Sequence, residues 1–235
     1  MTFLCCSAPG YDPVMSGRTN VDLSFWKNHL GQVPGEVWEA AGWLETLVLA
    51  DNDLVELPGR IGTLTRLRML DLGHNGLTTL PSELGALVDL TDFLYLHDNQ
   101  LATLPVSLGN LTKLRYLNLS ENRFESLPDA VCEMVGLIEL RLSDNQLQEL
   151  PDSISRLSGL RELHLRNNRI GTLPGSIGKL YQLRQLDLRQ NPIHFLPDSL
   201  VQLPRLEKLD LRWVSTLELP AWLPELEARG CAVYR

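Results

Sequence analysis

The sequence predicts an α/β solenoid, a curved right-handed coil with a parallel β-sheet on its concave side and short helical turns on its convex side. Three observations predict it: a fixed repeat period, an alternation of leucines typical of short strands, and a proline at a constant place after each strand. Because all three recur along the chain, the repeat is stronger evidence for the fold than any single predicted strand or helix.

The period is measured between the first leucines of successive units. Their spacings are 23, 23, 24, 23, 23, 23 and 23 residues, and the leucines are Leu44, Leu67, Leu90, Leu114, Leu137, Leu160, Leu183 and Leu206. A more degenerate unit begins at Asn20. The chain should therefore comprise a flexible lead (1–19), an N-terminal capping repeat (20–43), seven repeats (44–205) and a C-terminal capping unit (206–235).

The first half of each unit follows L-x-x-L-x-L-x-x-N-x-L. In LRELHLRNN, which starts at Leu160, we expect the leucines to face the core and Glu162, His164 and Arg166 to project from the concave face. The asparagine follows the strand, where an amide can satisfy buried backbone groups. The predicted ladder is Asn28, Asn52, Asn75, Asn99, Asn122, Asn145, Asn168 and Asn191.

The second half reads L-P-x-x-[IL]-G-x-L, as in LPGSIGKL from Leu173, and its proline suits entry into a helical turn. The terminal units differ, since end coils must cover an apolar face that no neighbour buries. They hold all five tryptophans, Trp26, Trp38, Trp43, Trp213 and Trp222. The last unit predicts a helix over about 221–228, a stop at Gly230 and a closing strand from Cys231.

These motifs resemble those of leucine-rich repeat proteins with 23-residue units. Similar patterns occur in Ras-binding leucine-rich repeat scaffold proteins, in plant intracellular Ras-group-related leucine-rich repeat proteins and in uncharacterised bacterial members. The resemblance covers about residues 20–235. It implies a solenoid that binds proteins, usually through its concave face, and leaves the partner to the variable positions.

Composition and charge limit the other function classes. A net charge of −8 argues against nucleic acid as the main partner, because phosphate binding needs a basic surface. There is no long apolar run and no signal-peptide pattern at the start, so we expect a cytoplasmic protein without membrane contact. The four cysteines, Cys5, Cys6, Cys132 and Cys231, do not form a disulfide framework. We expect a monomer.

The best candidate site is the middle and late concave face, where tyrosine and arginine are the residue types most enriched in binding hot spots. The candidate partner-binding residues are Met69, Phe93, Tyr95, His97, Tyr116, Asn118, Arg141, His164, Arg166, Arg189 and Arg212. The arginines predict a partner with an acidic or phosphorylated segment. The alternative is that Asp187 and Asp210, two residues before Arg189 and Arg212, neutralise these arginines on a solvated sheet.

No catalytic, metal or cofactor site is predicted. Ser143, His164 and Asp187 fall on successive strands, but an open sheet offers neither an oxyanion hole nor an enclosed pocket, so we predict no enzyme. His74, His97 and Asp98 come close enough across strands to share a metal, yet no ligand-spacing pattern accompanies them. The acidic stripe before the asparagines is interpreted as a solvated edge.

One unit carries an extra residue, in LTDFLYLHDNQL from Leu90. A register slip would turn Leu94 and Leu96 outward, so the insertion should be absorbed in a bulge or longer turn across 91–93. Two outcomes stay open at this stage. The insertion is either silent, or it pushes Phe93 out beside Tyr95, Tyr116 and Met69 as an apolar anchor.

The predicted function is a non-catalytic protein-binding module, an adaptor, scaffold or inhibitor that engages its partner through the concave face. The alternative is a secreted bacterial effector whose solenoid selects host proteins. An export signal within residues 1–19 would favour the alternative.

Overall fold

A computed structural model describes residues 22–235. The predicted lead, including Cys5 and Cys6, lies outside the described residues. Ten three-residue strands form one parallel sheet whose spatial order follows the chain. They are β1 Asp22–Ser24, β2 Thr46–Val48, β3 Met69–Asp71, β4 Phe93–Tyr95, β5 Tyr116–Asn118, β6 Glu139–Arg141, β7 Glu162–His164, β8 Gln185–Asp187, β9 Lys208–Asp210 and β10 Ala232–Tyr234.

Short helical segments connect the strands on the opposite side. Three are α-helical: α1 Gly35–Glu39, α2 Asp129–Cys132 and α3 Leu223–Ala228. Six are 3₁₀ turns: Gly59–Thr63, Ser82–Ala86, Val106–Asn110, Asp152–Arg156, Gly175–Lys179 and Asp198–Gln202. Within residues 22–235, none of the helices has the length and apolar character needed to cross a bilayer.

Proline and glycine shape each helical segment. Pro81 has an extended backbone with φ −70°, and its carbonyl accepts the amide of Leu84, which closes the turn at 3.1 Å. A Cβ atom on Gly85 would lie 2.2 Å from the Ser107 carbonyl oxygen in the next turn. The glycine is therefore required by the close approach of neighbouring coils, as expected for a position where backbones meet.

The core is a continuous column of leucines between sheet and turns. The middle residue of every strand pairs in register with the middle residue of the next, as in Leu70 with Leu94 and Leu94 with Leu117. These leucines are fully buried. Phe124 occupies the place that Leu101 and Leu147 hold in adjacent units and is also fully buried. The alternation of inward and outward residues is confirmed.

The asparagine ladder is confirmed from Asn52 to Asn191. Asn145 is representative: its Nδ2 donates to the carbonyls of Leu119, Leu142 and Ser143, and its Oδ1 accepts the amide of Phe124. Asn28, predicted to be the first member, is an exception. Its side chain is exposed and makes no hydrogen bond within the described residues, where no preceding coil packs against it.

The extra residue forms a bulge and does not shift the register. The Asp92 amide donates to Arg68 at 2.9 Å, whereas the Arg115 amide donates to Thr91 at 3.1 Å. Thr91 and Asp92 thus stand opposite one residue on each neighbouring coil, which defines a bulge. Phe93 lies outside it, as a regular strand residue paired with Met69 and Tyr116. The predicted bulge is confirmed and is narrower than predicted.

The two ends are only partly covered by tryptophan. Trp38 and Trp222 pack against the core, but Trp26 and Trp213 are 62% and 65% exposed, so their predicted capping role is wrong. Helix α3, Gly230 with φ +91° and strand β10 close the C-terminal end as predicted. Cys132 and Cys231 are buried free thiols.

Candidate functional site

An aromatic cluster, formed by Phe93, Tyr95 and Tyr116, lies in the middle of the concave face. The rings of Phe93 and Tyr95 stack nearly parallel with centroids 5.8 Å apart. Tyr116, on the next strand, lies 5.4 Å from Phe93 and 5.1 Å from Tyr95. The three rings are brought together by the register of β4 and β5, so they form one continuous surface rather than three separate contacts.

The cluster combines exposed apolar area with neutral polar tips. Phe93 is 42% exposed, and Tyr95 and Tyr116 are half-buried. Burial raises the pKa of Tyr95 and raises the pKa of Tyr116 to about 12, so both phenols keep their protons. Asn118, also predicted to contact a partner, is buried, and its Oδ1 accepts the Ser120 amide at 3.1 Å. This hydrogen bond ties the Asn118 side chain to its own strand, and little of its surface is exposed to a partner.

His97 borders the cluster in an unusual setting. Its ring lies over Gly73, where a Cβ atom would approach the His97 Cε1 atom to 2.3 Å. Its Nδ1 is buried and has no hydrogen-bond partner within residues 22–235. Burial, followed by the charge of His74, lowers the pKa of His97. His74 contacts the His97 ring edge-on, with centroids 4.8 Å apart, and its Nδ1 lies 2.5 Å from Asp98 Oδ2.

The late concave face consists of internal ion pairs. Arg189 binds Asp187 through two nitrogens at 2.8 and 2.5 Å, and Arg212 binds Asp210 at 2.9 and 2.7 Å. Arg141 Nε lies 2.6 Å from Glu139. These contacts are the neutralising pairs that the sequence left as the alternative for Arg189 and Arg212. Among the described residues Arg166 bonds to Gln190 and to no carboxylate.

Asp210 makes this network sensitive to acid. Its side chain is 1% exposed, and burial alone would raise its pKa, but hydrogen bonds from Arg212 and the charges of Arg189 and Arg212 hold the pKa below its ordinary 3.8. A carboxylate whose pKa is lower in the folded state than in the unfolded state stabilises the fold at pH values above the unfolded pKa. This stabilisation is lost as the pH falls through the pKa of the folded state. Below about pH 4, the free energy of unfolding should therefore fall more steeply for the wild type than for Asp210→Asn.

Chemical denaturation at a series of pH values measures this difference. Asp92→Asn is the matched control, since Asp92 also pairs with an arginine, Arg68, but on the exposed edge of the bulge. Parallel acid dependence in the wild type and Asp210→Asn would contradict the assignment.

A further group of ligand-type side chains surrounds His164, which the sequence placed on the concave face. Its Nε2 lies 3.4 Å from Glu162 and 3.7 Å from Glu139, and one ligand atom from each of the three falls within 4.8 Å of the others. Arg141 already binds Glu139, so ion pairing accounts for the group. His164 faces these two glutamates, and Asp187 forms an ion pair with Arg189. Neither side chain has the partner that a catalytic triad of Ser143, His164 and Asp187 would require.

The sequence analysis placed Glu162 on the concave face but counted neither Glu162 nor Glu139 among the candidate site residues. The first strand position also projects to the concave face. From β3 to β9, the residues at this position are Met69, Phe93, Tyr116, Glu139, Glu162, Gln185 and Lys208. The strand register alone would have placed Glu139 beside Glu162.

The acidic stripe has a backbone explanation. The residues immediately before the ladder asparagines adopt positive φ, as in Asp51 (57°), His74 (51°), Asp98 (50°) and Glu121 (57°). Asn, Asp and His are the side-chain-bearing residues enriched in this left-handed region. The polar character of the stripe thus follows from the turn that each strand makes at its end.

Comparison with known proteins agrees with this architecture. The family profile described as "Leucine rich repeat" matches residues 42–101, 112–170 and 158–213, which is more than half of the chain. No curated protein sequence matches significantly.

Several solved structures are similar. A leucine-rich repeat protein of Leptospira interrogans is 32% identical, with TM-score 0.80, over 85% of this chain and 50% of its own. The repeat domain of the type III effector XopL is 26% identical, with TM-score 0.75, over 91% of this chain and 75% of its own.

The ectodomain of the Arabidopsis thaliana receptor kinase GASSHO1/SCHENGEN3, solved with CASPARIAN STRIP INTEGRITY FACTOR 2, is 32% identical, with TM-score 0.70, over 80% of this chain and 23% of its own. The chain thus spans half the length of the Leptospira protein and about a quarter of the plant ectodomain. The repeat, the ladder, the parallel sheet and these matches together establish that the chain belongs to the leucine-rich repeat family.

Proposed function

We propose that the chain is a non-catalytic protein-binding module, acting as an adaptor, scaffold or inhibitor, whose concave face engages a protein or peptide. The aromatic cluster is the observation that carries the proposal. Three contacting rings, with Phe93 42% exposed, offer rigid contact area in the centre of a sheet whose later part carries internal ion pairs. Such rings are the residue types that dominate binding hot spots.

The similar structures support a protein or peptide as the partner. The plant receptor ectodomain is in complex with CASPARIAN STRIP INTEGRITY FACTOR 2, and the plant peptide hormone receptor RGFR1 is in complex with RGF2. Leucine-rich repeat domains are in general interaction modules without catalytic activity. The acidic or phosphorylated segment predicted for the partner now depends on Arg166, since Arg189 and Arg212 are already paired.

The proposal includes a cytoplasmic monomer. Its support is that Cys132 and Cys231 are buried free thiols, as in proteins of reducing compartments, and that the leucine column is buried by the chain's own coils. Sedimentation of the purified protein tests the monomeric state.

A secreted bacterial effector is the second candidate. The observation that favours it is the likeness to the XopL repeat domain, which covers 91% of this chain. Deleting residues 1–19 tests it in a secretion assay: loss of export would support the effector, and equal intracellular retention of both forms would argue against it.

Photo-crosslinking tests the binding function. A benzophenone amino acid at Phe93 should yield a crosslinked partner in a lysate of the native cell. The same group at Val106, which is 89% exposed in a turn opposite the sheet, should yield none. Equal crosslinking from both positions would contradict binding through the concave face.

Two matched deletions separate the bulge from the aromatic anchor. Deleting Thr91 or deleting Phe93 restores the 23-residue unit, but only the first keeps the Phe93 ring. We expect similar melting temperatures, since either deletion removes the extra residue before Leu94 and leaves Leu94 in register. Partner capture should survive the Thr91 deletion and fall about tenfold or more with the Phe93 deletion. Capture lost in both variants would assign the function to the bulge itself.

A further inference from the structure

The concave face repeats one local arrangement of an aspartate, a leucine and an arginine. In Asp187-Leu188-Arg189 the arginine binds the aspartate with two nitrogens, and its own backbone amide donates to Asp187 Oδ1 at 3.2 Å. Asp210-Leu211-Arg212 repeats every one of these contacts, with the amide at 3.4 Å. In both, the carboxylate is oriented by the backbone and neutralised by a guanidinium.

A third copy of the arrangement, Asp71-Leu72-Gly73, lacks the arginine. The Gly73 amide still donates to Asp71 Oδ1 at 2.9 Å, so the carboxylate is held as in the other two copies. No Lys or Arg forms an ion pair with Asp71 within residues 22–235. The place of the arginine is taken by the ring of His97, which makes no hydrogen bond to Asp71.

In two of the carboxylate-bound arginines on the concave face, the guanidinium also lies beside aromatic rings. Arg212 lies 5.6 Å from the Trp213 ring and 5.4 Å from the Tyr234 ring while binding Asp210. Arg141 lies 5.7 Å from the Tyr116 ring while binding Glu139. Guanidinium groups favour this combination of a planar face and a carboxylate. Asp71 has the same surroundings, because its register partner is Tyr95 of the aromatic cluster.

We propose that the partner supplies the missing arginine, whose guanidinium binds Asp71 and stacks on the aromatic cluster at Tyr95. The inference rests on the proposed function and names the chemistry of the partner. The partner would then carry two charged residues, an arginine that binds Asp71 and the acidic residue predicted to bind Arg166. Asp71 and Arg166 lie four strands apart, or roughly 19 Å at the usual strand spacing, a span that about six extended residues cover.

The direction of the Asp71 pKa shift is the one expected for a buried carboxylate that no arginine or lysine neutralises. Burial raises the pKa of Asp71, against the opposing effects of the Gly73 hydrogen bond and of His97 and His74. A raised pKa means that the ionised carboxylate costs stability at neutral pH. Asp71→Asn should therefore melt at the same or a higher temperature than the wild type, so a loss of binding in this variant cannot be attributed to unfolding.

The test uses N-acetyl-arginine amide as the probe and N-acetyl-citrulline amide as its neutral isostere. Backbone NMR signals of Gly73 and Tyr95 should shift saturably with the arginine probe and require about tenfold more of the citrulline probe. Asp71→Asn should abolish the difference between the two. Equal response to both probes, no saturable shift, or an unchanged response in Asp71→Asn would overturn the inference.

A second pair of variants supplies the arginine within the chain. Gly73→Arg with His97→Ser rebuilds the Asp-Leu-Arg unit, with a serine beside it as at Ser120 and Ser143, and should block the arginine probe. Gly73→Ser with His97→Ser is the matched control and should bind the probe. Partner capture that is lost on deleting Phe93 but kept in Asp71→Asn would overturn the arginine anchor and leave the proposed function intact.

Discussion

Replacing Phe124 by alanine should destabilise the protein by about 4 kcal/mol, the largest effect we expect from a single side chain. Phe124 is fully buried at a position where neighbouring units have Leu101 and Leu147. The aliphatic side chains of adjacent coils cannot close the space left by a phenyl ring, so the variant loses both the burial of apolar surface and the contacts around it.

Phe195→Ala is the matched control for this prediction. It removes the same ring from a position that is 59% exposed, and we expect a change of less than about 1 kcal/mol. Equilibrium urea unfolding of the three proteins measures the difference. Equal destabilisation by the two substitutions would show that Phe124 is not part of the core column.

Most of the fold could be predicted from the sequence because the same 23-residue pattern recurs in each unit. The register, the inward leucines, the bulge before Leu94 and the closing helix and strand all follow from where a 23-residue pattern holds and where it breaks. The errors lie at the ends. Asn28 has the residue type of the interior ladder and Trp26 the apolar type expected of a cap, but within residues 22–235 no preceding coil buries either of them.

The candidate site could be predicted only as a region. Period and register place Phe93, Tyr95 and Tyr116 together, and the structure confirms that proximity. Which cation pairs with which carboxylate depends on side-chain rotamers, which carry no period. The sequence alone therefore could not decide between a free arginine ladder and the internal pairs that Arg189 and Arg212 form.

The two halves of the concave face consequently differ in what a partner can gain from them. Around Arg189 and Arg212, an acidic ligand must compete with a carboxylate already held by two hydrogen bonds. At the aromatic cluster, the exposed ring of Phe93 is not held by an ion pair that a ligand would have to break. This contrast places the centre of recognition earlier on the sheet than a count of exposed arginines suggests.

Replacing Asn145 by alanine should destabilise the protein by about 3 kcal/mol. The substitution leaves the Phe124 amide and the Leu119 carbonyl without their side-chain partner in a region that water does not reach. An unpaired buried polar group costs roughly 1–3 kcal/mol, and the remaining carbonyls add to it only in part because they have a second acceptor site.

Asn28→Ala provides the control, since that side chain is exposed and makes no hydrogen bond within residues 22–235. Urea unfolding should show a change within about 0.5 kcal/mol for Asn28→Ala. The shape of the Asn145→Ala transition is informative as well. Each coil contacts only its neighbours, so cooperative unfolding depends on the interfaces between coils. A weakened central interface should let the two halves of the solenoid unfold at different urea concentrations, which would broaden the transition. If Asn145→Ala unfolds in a sharp transition at the same urea concentration as the wild type, the asparagine ladder does not stabilise the fold.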